Sequence, residues 1–258
     1  MKFIHNPESY NTRAARQVVP YVISLLSPKS IIDVGCGIGT WLSIFKKNGI
    51  EEVAGIDGDY VDRDALFSNI SGDEFFVCDL KKPLEIGRTF DLVISLEVAE
   101  HLPEESAVDF IEGLTKLGDC ILFSAAIPGQ GGDGHINEQW MSYWKEIFQK
   151  FDFKLCDFIR PKFWSNKNVD WWYRQNTFLF LRNGTCLSES IFNESSINEF
   201  EDIVHPELYE IKLREILQLT QDNKNIYLGK VSIKEALKIL FFSLLNKLSF
   251  LRPESHFE

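Results

Sequence analysis

Short apolar runs alternate with helical patterns along the first two thirds of this 258-residue chain, and this alternation limits the possible folds more than any other feature. Five runs predict buried strands at residues 30–34, 52–56, 74–77, 90–96 and 120–125. Strands separated by helices at this spacing form βαβ units, whose parallel strands are covered by helices on both faces. Two later runs, at 156–160 and 177–181, predict two more strands, the last of them antiparallel. The sequence therefore predicts an α/β fold with a seven-stranded, mostly parallel sheet.

The patterns divide the chain into three segments. Residues 1–182 are predicted to form the main domain, which opens with an amphipathic helix over residues 9–26. Seven carboxylates and no Lys or Arg lie between residues 183 and 211, and we interpret 183–230 as an acidic connector. Residues 231–258 predict a C-terminal helical extension with apolar residues around most of its circumference. Such a helix needs cover from the main domain, a second copy in a dimer, a membrane surface or a partner protein, and these alternatives stay open.

Charge and cysteine content exclude several classes of function. The chain has 27 basic and 38 acidic residues, a net charge of −11, whereas proteins that neutralise nucleic-acid phosphates are normally basic. We therefore predict no duplex nucleic acid partner. The cysteines are odd in number and widely spaced, which predicts a reducing, cytoplasmic location: Cys36, Cys78, Cys120, Cys156 and Cys186. No apolar stretch reaches the roughly 18 residues of a membrane span, so no transmembrane segment is predicted.

A glycine-rich turn, DVGCGIG, follows the first predicted strand and precedes a helix. Glycines at this place let the backbone approach a ligand closely at a helix N-terminus. A dinucleotide fingerprint needs a small residue at its sixth position, but Thr40 stands there, which disfavours a nicotinamide cofactor. Asp57 lies at the end of the second strand, where a carboxylate can bind ribose hydroxyls, and Asp79 follows the third strand.

The segments DVGCGIG, GID, CDL and FDLVISLEVAEH, in this order, resemble the class I S-adenosylmethionine-dependent methyltransferases over about residues 9 to 182. The resemblance implies a Rossmann-like fold and S-adenosylmethionine as cofactor. A carboxylate beside the turn suits the cofactor's ammonium and sulfonium cations, whereas it repels a pyrophosphate. The resemblance assigns the methionine part to Asp33, Gly35, Gly37 and Gly39, the ribose to Asp57, and the adenine to Asp79 and Leu80, with Glu97 as a further cofactor contact.

The segment EVAEH after the fourth strand carries two carboxylates and an imidazole, which share one face if it is helical. A similar ExxEH, joined by a later histidine, occurs in the small-RNA 3′-terminal 2′-O-methyltransferases and in ubiquinone-pathway O-methyltransferases, and this resemblance implies bound Mg²⁺ or Mn²⁺. The predicted ligands are Glu97, Glu100, His101 and His135. A hydrated surface face or a capped helix start would also account for the motif.

The segment PGQGGDGHINEQW directly follows the fifth strand, at the sheet edge where α/β folds bind ligands. A hydroxyl acceptor loses its proton during attack, and a positioned histidine is the usual general base. We predict His135 as the first candidate base and His101 as the second.

Aromatic residues concentrate between positions 140 and 180, which hold 14 of the chain's 34 aromatic side chains. Flat rings beside amides and charges suit a sugar, although packing within a β-hairpin is the alternative. The combination HxNEQW and WWYRQN also resembles methyltransferases of bacterial or viral glycan assembly. The predicted substrate residues are Trp140, Trp171, Trp172 and Arg174.

These observations lead to one leading function and two alternatives. We predict an S-adenosylmethionine-dependent O-methyltransferase that acts on a sugar or glycan hydroxyl, with or without a divalent metal. The alternatives are a small-molecule or RNA-3′-end methyltransferase, and a non-catalytic cofactor-binding or assembly module that recruits a partner through its C-terminal helix.

Overall fold

A computed structural model describes residues 11–185 and 202–249, with side chains up to residue 243. The chain divides into two compact units, Met1–His205 and Pro206–Glu258. The predicted connector contributes residues to both units, and its residues 186–201, with Cys186 and four of its nine acids, lie outside the described part.

The first unit contains the predicted seven-stranded sheet, in the order β3-β2-β1-β4-β5-β7-β6. Strands β1 to β5 are parallel, and β7 is antiparallel to both β5 and β6, which confirms the predicted fold class. The strands are β1 Ser30–Val34, β2 Glu52–Asp57, β3 Phe75–Val77, β4 Leu92–Leu96, β5 Cys120–Ser124, β6 Phe153–Cys156 and β7 Phe178–Arg182.

Helix α1 precedes β1, and the other helices of the first unit lie between successive strands. They are α1 Arg13–Leu26, α2 Thr40–Lys47, α3 Arg63–Phe67, α4 Ala107–Leu117, α5 Met141–Lys150, α6 Ile159–Phe163 and α7 Trp171–Asn176, with short 3₁₀ turns at Gly72–Glu74, Ala99–His101 and Glu104–Ser106.

Alternate residues of the central strands enter two separate hydrophobic clusters, one on each face of the sheet. Ile31 of β1 packs with α1 and α2, whereas the next residue, Ile32, packs with α4 and α5. Side chains of a strand point alternately to its two faces, so a strand buried on both faces must be apolar throughout. This explains why the central strands read as continuous apolar runs.

An aromatic core joins α5 to the antiparallel end of the sheet. Phe148 and Phe180 stack with ring centroids 3.9 Å apart, and Phe123 packs edge-on against Phe148 at 5.3 Å. Trp144 is fully buried against the same ring of Phe123. Much of the aromatic enrichment between residues 140 and 180 therefore builds the core of the first unit.

The predicted strand at 156–160 is wrong. Strand β6 ends at Cys156, and the chain turns into helix α6 at Ile159. The side chain of Arg160 turns back to donate to Asp157 at 2.6 and 2.9 Å, and this buried ion pair three residues apart suits a helical turn and not an extended strand.

The helical interpretation of residues 97–101 holds only for a single 3₁₀ turn at Ala99–His101. Glu97 has a left-handed φ of 55°, and Leu102 is extended because Pro103 follows it. The predicted motif therefore lies on a turn, and helix α4 begins only at Ala107.

The second unit contains helix α8, Pro206–Tyr227, inside the segment interpreted as a connector, and helix α9, Ile233–Ser249, inside the predicted C-terminal extension. Apolar side chains of α9 such as Ile233, Leu237 and Phe241 are exposed. Among the described residues, no helix has the length and apolar character needed to cross a membrane. The four described cysteines are free thiols.

We expect Phe123→Ala to lower the free energy of unfolding by about 3–5 kcal/mol, because it empties a volume lined by three aromatic rings. Urea denaturation of the full chain measures the effect. Phe67→Ala is the matched control: Phe67 is 46% exposed, and its loss should cost far less. Equal costs for the two variants would contradict the aromatic core.

Candidate functional site

The glycine turn after β1 has a backbone that side chains would obstruct. Gly35, Gly37 and Gly39 have φ values of 88°, 52° and 72°, which favour glycine. A Cβ added at Gly35 would lie 2.4 Å from Cγ2 of Val98, so this backbone packs directly on the second residue after β4. The turn thereby brings backbone without side chains to the start of α2.

Asp57 at the end of β2 holds this turn in place. Its Oδ2 accepts from the amide of Gly37 at 2.7 Å, and its Oδ1 accepts from the amide of Gly58 and the hydroxyl of Tyr60 at 2.7 and 2.6 Å. The carboxylate therefore has a structural task in addition to the predicted contact with a ribose.

Asp33 at the end of β1 is a buried acid behind the same turn. Burial raises the pKa of Asp33 well above its usual value, and repulsion from Asp57 raises it further. A positive charge bound nearby would favour the ionised form of this carboxylate. The site is thus electrostatically suited to a cationic ligand and unsuited to an anionic one.

The chain after β3 returns to the same edge of the sheet. The amide of Cys78 donates to the carbonyl of Asp57 at 2.9 Å. Leu80 is buried, whereas Asp79 is exposed and accepts from the amide of Lys81 at 3.2 Å. The predicted cofactor residues other than Glu97 therefore gather along the carboxyl ends of β1, β2 and β3.

A second cluster lies beyond the end of β4, where Glu100, His101 and His135 each place a potential ligand atom within 4.8 Å of the others. Nε2 of His135 is 4.0 Å from Oε1 of Glu100. The two imidazole rings meet edge to face with centroids 4.9 Å apart. Three of the four predicted metal ligands are thus brought together.

Glu100 is completely buried, and neither of its carboxylate oxygens has a hydrogen-bond partner in the described residues. Burial raises the pKa of Glu100 well above its ordinary value, and the charge of Glu97 adds to the rise. The nearby backbone amides of Glu100 and Ala126 oppose the rise, although neither forms a hydrogen bond of standard geometry with the carboxylate. A buried carboxylate in such a place is stable only as the neutral acid or beside a cation.

Both histidines use Nδ1 to contact the loop around them. Nδ1 of His101 is 3.3 Å from the carbonyl of Gly134, and Nδ1 of His135 is 2.9 Å from Oε1 of Glu138. Burial lowers the pKa of His101, repulsion from His135 lowers it further, and the Gly134 carbonyl opposes this shift. His101 is therefore favoured in the neutral form, which can bind a metal or accept a proton.

The carboxylate of Glu97, a predicted cofactor and metal contact, accepts hydrogen bonds from two side-chain amides. Its carboxylate accepts from Nε2 of Gln130 at 2.9 Å and from Nδ2 of Asn176 at 3.2 Å. Burial raises its pKa, while hydrogen bonds from Gln130, Asn176 and Ser124 oppose that shift. Glu97 lies outside the group formed by Glu100, His101 and His135.

The predicted substrate residues have different surroundings. Trp140 is 37% exposed, and Trp171 and Trp172 are partly buried, with centroids 5.5 Å apart. Arg174 is only 3% exposed, and its guanidinium donates to the carbonyl of Trp164 at 2.9 Å. Its placement therefore indicates a packing role, in contrast to the substrate contact predicted from the sequence.

Helix α7 lies between the two parts of the site. Tyr173 packs edge-on against Trp41 of α2, with centroids 5.3 Å apart, and Asn176 donates to Oε1 of Gln130 at 2.9 Å. Sequence reasoning missed Gln130, Asn176 and Glu138 as site residues. Their only signal was that each is a polar residue inside a segment already singled out, PGQGGDGHINEQW or WWYRQN.

Residues 8–121 match a family model described as a methyltransferase domain. No curated protein matches the chain. Similar solved structures include the methyltransferase domain of bacterial CtHen1-C, at 16% identity and a TM-score of 0.50, covering 66% of this chain and 97% of that one. Another is the sugar N-methyltransferase KedS8 from Streptoalloteichus, at 14% identity and a TM-score of 0.52, covering 68% and 90%.

A third similar structure is CalS10 with bound S-adenosylmethionine, an amino pentose methyltransferase from Micromonospora echinaspora. It is 12% identical with a TM-score of 0.52, and the match covers 70% of this chain and 99% of that one. At these identities the likeness is one of fold.

We expect Asp33→Asn to stabilise the ligand-free chain at pH 8. Because the pKa of Asp33 is higher in the folded than in the unfolded chain, its stabilising contribution is present at low pH. This contribution is lost as the pH rises from the usual carboxyl value of about 4 through the raised pKa. Urea denaturation between pH 4.5 and 8 should show a gain that grows with pH. The exposed Asp109→Asn is the control, and identical profiles for wild type and Asp33→Asn would contradict the burial argument.

Proposed function

Because this chain is an S-adenosylmethionine-dependent methyltransferase, we propose that it methylates a hydroxyl group of a sugar or glycan acceptor. The proposal has three parts, namely a cofactor site at the glycine turn, a proton-accepting and metal-binding cluster, and an aromatic acceptor region.

The residues at the glycine turn fit the cofactor. Gly35 and Gly37 have no Cβ that would block close approach of a ligand, and no basic side chain among the described residues neutralises the buried Asp33. The ligand's ammonium and sulfonium groups would supply that positive charge. We assign Asp57 to the ribose, and Leu80 with Asp79 to the adenine. S-adenosylmethionine supplies an electrophilic methyl group when it is bound there.

The cluster of Glu100, His101 and His135 is the observation that carries the choice of a hydroxyl acceptor. A hydroxyl keeps its proton at neutral pH and needs a base during attack, whereas a neutral amine needs none. We assign Nε2 of His135 as the base that takes the hydroxyl proton while the acceptor oxygen forms its bond to the methyl carbon and the carbon–sulfur bond breaks, leaving a neutral thioether. His101 is the second candidate for this role. Correct alignment of the two reacting groups supplies the remaining rate enhancement.

The same cluster fits a divalent metal, as the alternative to a free base, because the lone pair of Nε2 on His135 can serve only one of the two roles. Glu100 offers two buried oxygens without a hydrogen-bond partner among the described residues, and the histidines add imidazole nitrogens. Mixed carboxylate and imidazole donors suit Mn²⁺ better than Mg²⁺, which prefers oxygen ligands throughout. Glu100, His101 and His135 would hold such a metal, which would lower the pKa of an acceptor hydroxyl. We leave Glu97 out of this ligand set, since Gln130 and Asn176 donate to its carboxylate.

The choice of a sugar rests on the aromatic rings near the cluster. Trp140 is partly exposed five residues after His135, and Trp171 and Trp172 begin α7, whose last residue, Asn176, contacts Gln130 of the histidine loop. Rings with polar neighbours bind the apolar face of a sugar while its hydroxyls form hydrogen bonds. Two similar structures are named as sugar methyltransferases, but the likeness concerns the fold, so the proposal rests on the site.

We expect methyl-labelled S-adenosylmethionine to yield a methyl ether on a nucleotide-sugar or glycan from a panel of such acceptors. Mass spectrometry with nuclear magnetic resonance of the product identifies the methylated atom. His135→Gln should reduce turnover by about 10²- to 10⁴-fold, because it removes the base, while affinity for the demethylated cofactor changes by less than about twofold. Label found only on amino groups, or only on a short RNA, would exclude the sugar hydroxyl.

We expect the wild-type chain to bind Mn²⁺ and Glu100→Gln to bind it at least about tenfold more weakly, since the substitution removes the charged ligand. Calorimetry with Mn²⁺ alone measures this without turnover. Replacing a buried carboxylate by an amide should leave thermal stability equal or higher, so unfolding does not explain the loss. The exposed Glu104→Gln is the control. Absence of Mn²⁺ binding by the wild type would leave His135 as a metal-free base.

A further inference from the structure

Glu138 gathers three hydrogen bonds from the segment that precedes it. Its Oε2 accepts from the amide of Gly129 at 2.7 Å, and its Oε1 accepts from the amide of Gly131 at 2.7 Å. Oε1 also lies 2.9 Å from Nδ1 of His135. A single carboxylate thus binds two points of a glycine-rich loop and the proposed catalytic histidine.

The loop formed by residues 128–134 depends on such anchors. Gly129, Gly131 and Gly134 have positive φ values, and glycines contribute no side chains that could pack. At the far side of the cluster, the amides of Ile136 and Asn137 donate to the carbonyl of Glu100 at 2.9 and 3.0 Å. The loop, His135 and the backbone of Glu100 are therefore connected in one hydrogen-bonded unit.

The loop also passes directly over the reactive edge of His135. A Cβ added at Gly132 would lie 2.3 Å from Nε2 of His135. The backbone of Gly132 therefore packs against His135, and a side chain that holds the loop also fixes the backbone beside Nε2.

The contact with Glu138 also determines which nitrogen of His135 carries the proton. Each carboxylate oxygen of Glu138 already accepts from a backbone amide, so Nδ1 of His135 is the donor in its contact with Oε1. In the neutral imidazole Nε2 then keeps its lone pair, 4.0 Å from Oε1 of Glu100.

We propose that Glu138 is a positioning residue, which holds His135 in the Nδ1–H tautomer and fastens loop 128–134, so that Nε2 faces Glu100 and the acceptor. This inference rests on the proposed function, because it gives His135 the role of base or metal ligand. The positioning role belongs to Glu138, which does not itself contact the reacting atoms.

The first test reads the tautomer directly. Long-range ¹H–¹⁵N correlation spectra of the metal-free full chain at pH 8 distinguish Nδ1–H from Nε2–H, and the signals of His135 are identified by their loss in His135→Gln. We expect Nδ1–H in the wild type and a shift towards Nε2–H in Glu138→Ala. The exposed Glu146→Ala on α5 is the matched control and should keep the wild-type pattern. An unchanged tautomer in Glu138→Ala overturns the proposal, because a merely structural glutamate would not determine it.

The second test uses the conservative variant. Glu138→Gln keeps a side-chain oxygen that can accept from His135, so we expect the Nδ1–H tautomer to persist with a less deshielded proton. Methyl transfer should fall by about 10- to 100-fold in Glu138→Ala and by less in Glu138→Gln, since a histidine's second partner typically has an effect of this size. Affinity for the demethylated cofactor should remain within about twofold. If Glu138→Ala does not fold, the proton shift in Glu138→Gln decides: no change overturns the proposal.

The two proposals fail in different ways. If Glu138→Ala shows the expected tautomer shift but the wild type methylates no sugar, the sugar acceptor is refuted and the role of Glu138 stays intact. If the wild type methylates a sugar but Glu138→Ala keeps the wild-type tautomer, the proposed function stands and the positioning role is refuted.

Discussion

Acids buried at the carboxyl edge of the sheet set the character of this site. Asp33 and Glu100 are both removed from water, and burial raises the pKa of each well above its usual value. Keeping such groups costs the folded chain free energy unless a cation or a proton neutralises them. The proposed function gives each acid a neutralising partner, namely the cationic cofactor at Asp33 and a metal or a proton at Glu100.

The structure uses hydrogen bonds from backbone amides to hold the rest of the site around these acids. Asp57 fastens the glycine turn through Gly37, and Glu138 fastens the histidine loop through Gly129 and Gly131. In both cases a carboxylate compensates for the conformational freedom that glycine brings. In both parts of the site a carboxylate thus accepts hydrogen bonds from the backbone amides of a glycine-rich segment, and helix α7 lies between the two parts.

Particular residues show where sequence reasoning succeeded and where it did not. Ile31 and Ile32 belong to a continuous apolar run, and the strand was predictable because burial on both faces leaves that pattern in the sequence. The prediction of a strand at 156–160 was wrong because the chain turns into α6, where Arg160 forms an ion pair with Asp157. Apolar content does not reveal such an interaction. The aromatic residues were correctly recognised as a group, but Trp144 belongs to the core whereas Trp140 is partly exposed.

The amino-acid sequence was enough to predict the parallel sheet and the glycine turn, because strand patterning and backbone freedom are local properties of short segments. It also grouped Glu97, Glu100, His101 and His135 as candidate metal ligands. The hydrogen bonds of Glu97 to Gln130 and Asn176, and those of Glu138 to the loop and His135, became evident in the folded chain. Asn176 lies 79 residues from Glu97, and a contact of that separation depends on how sheet, loop and helix pack together.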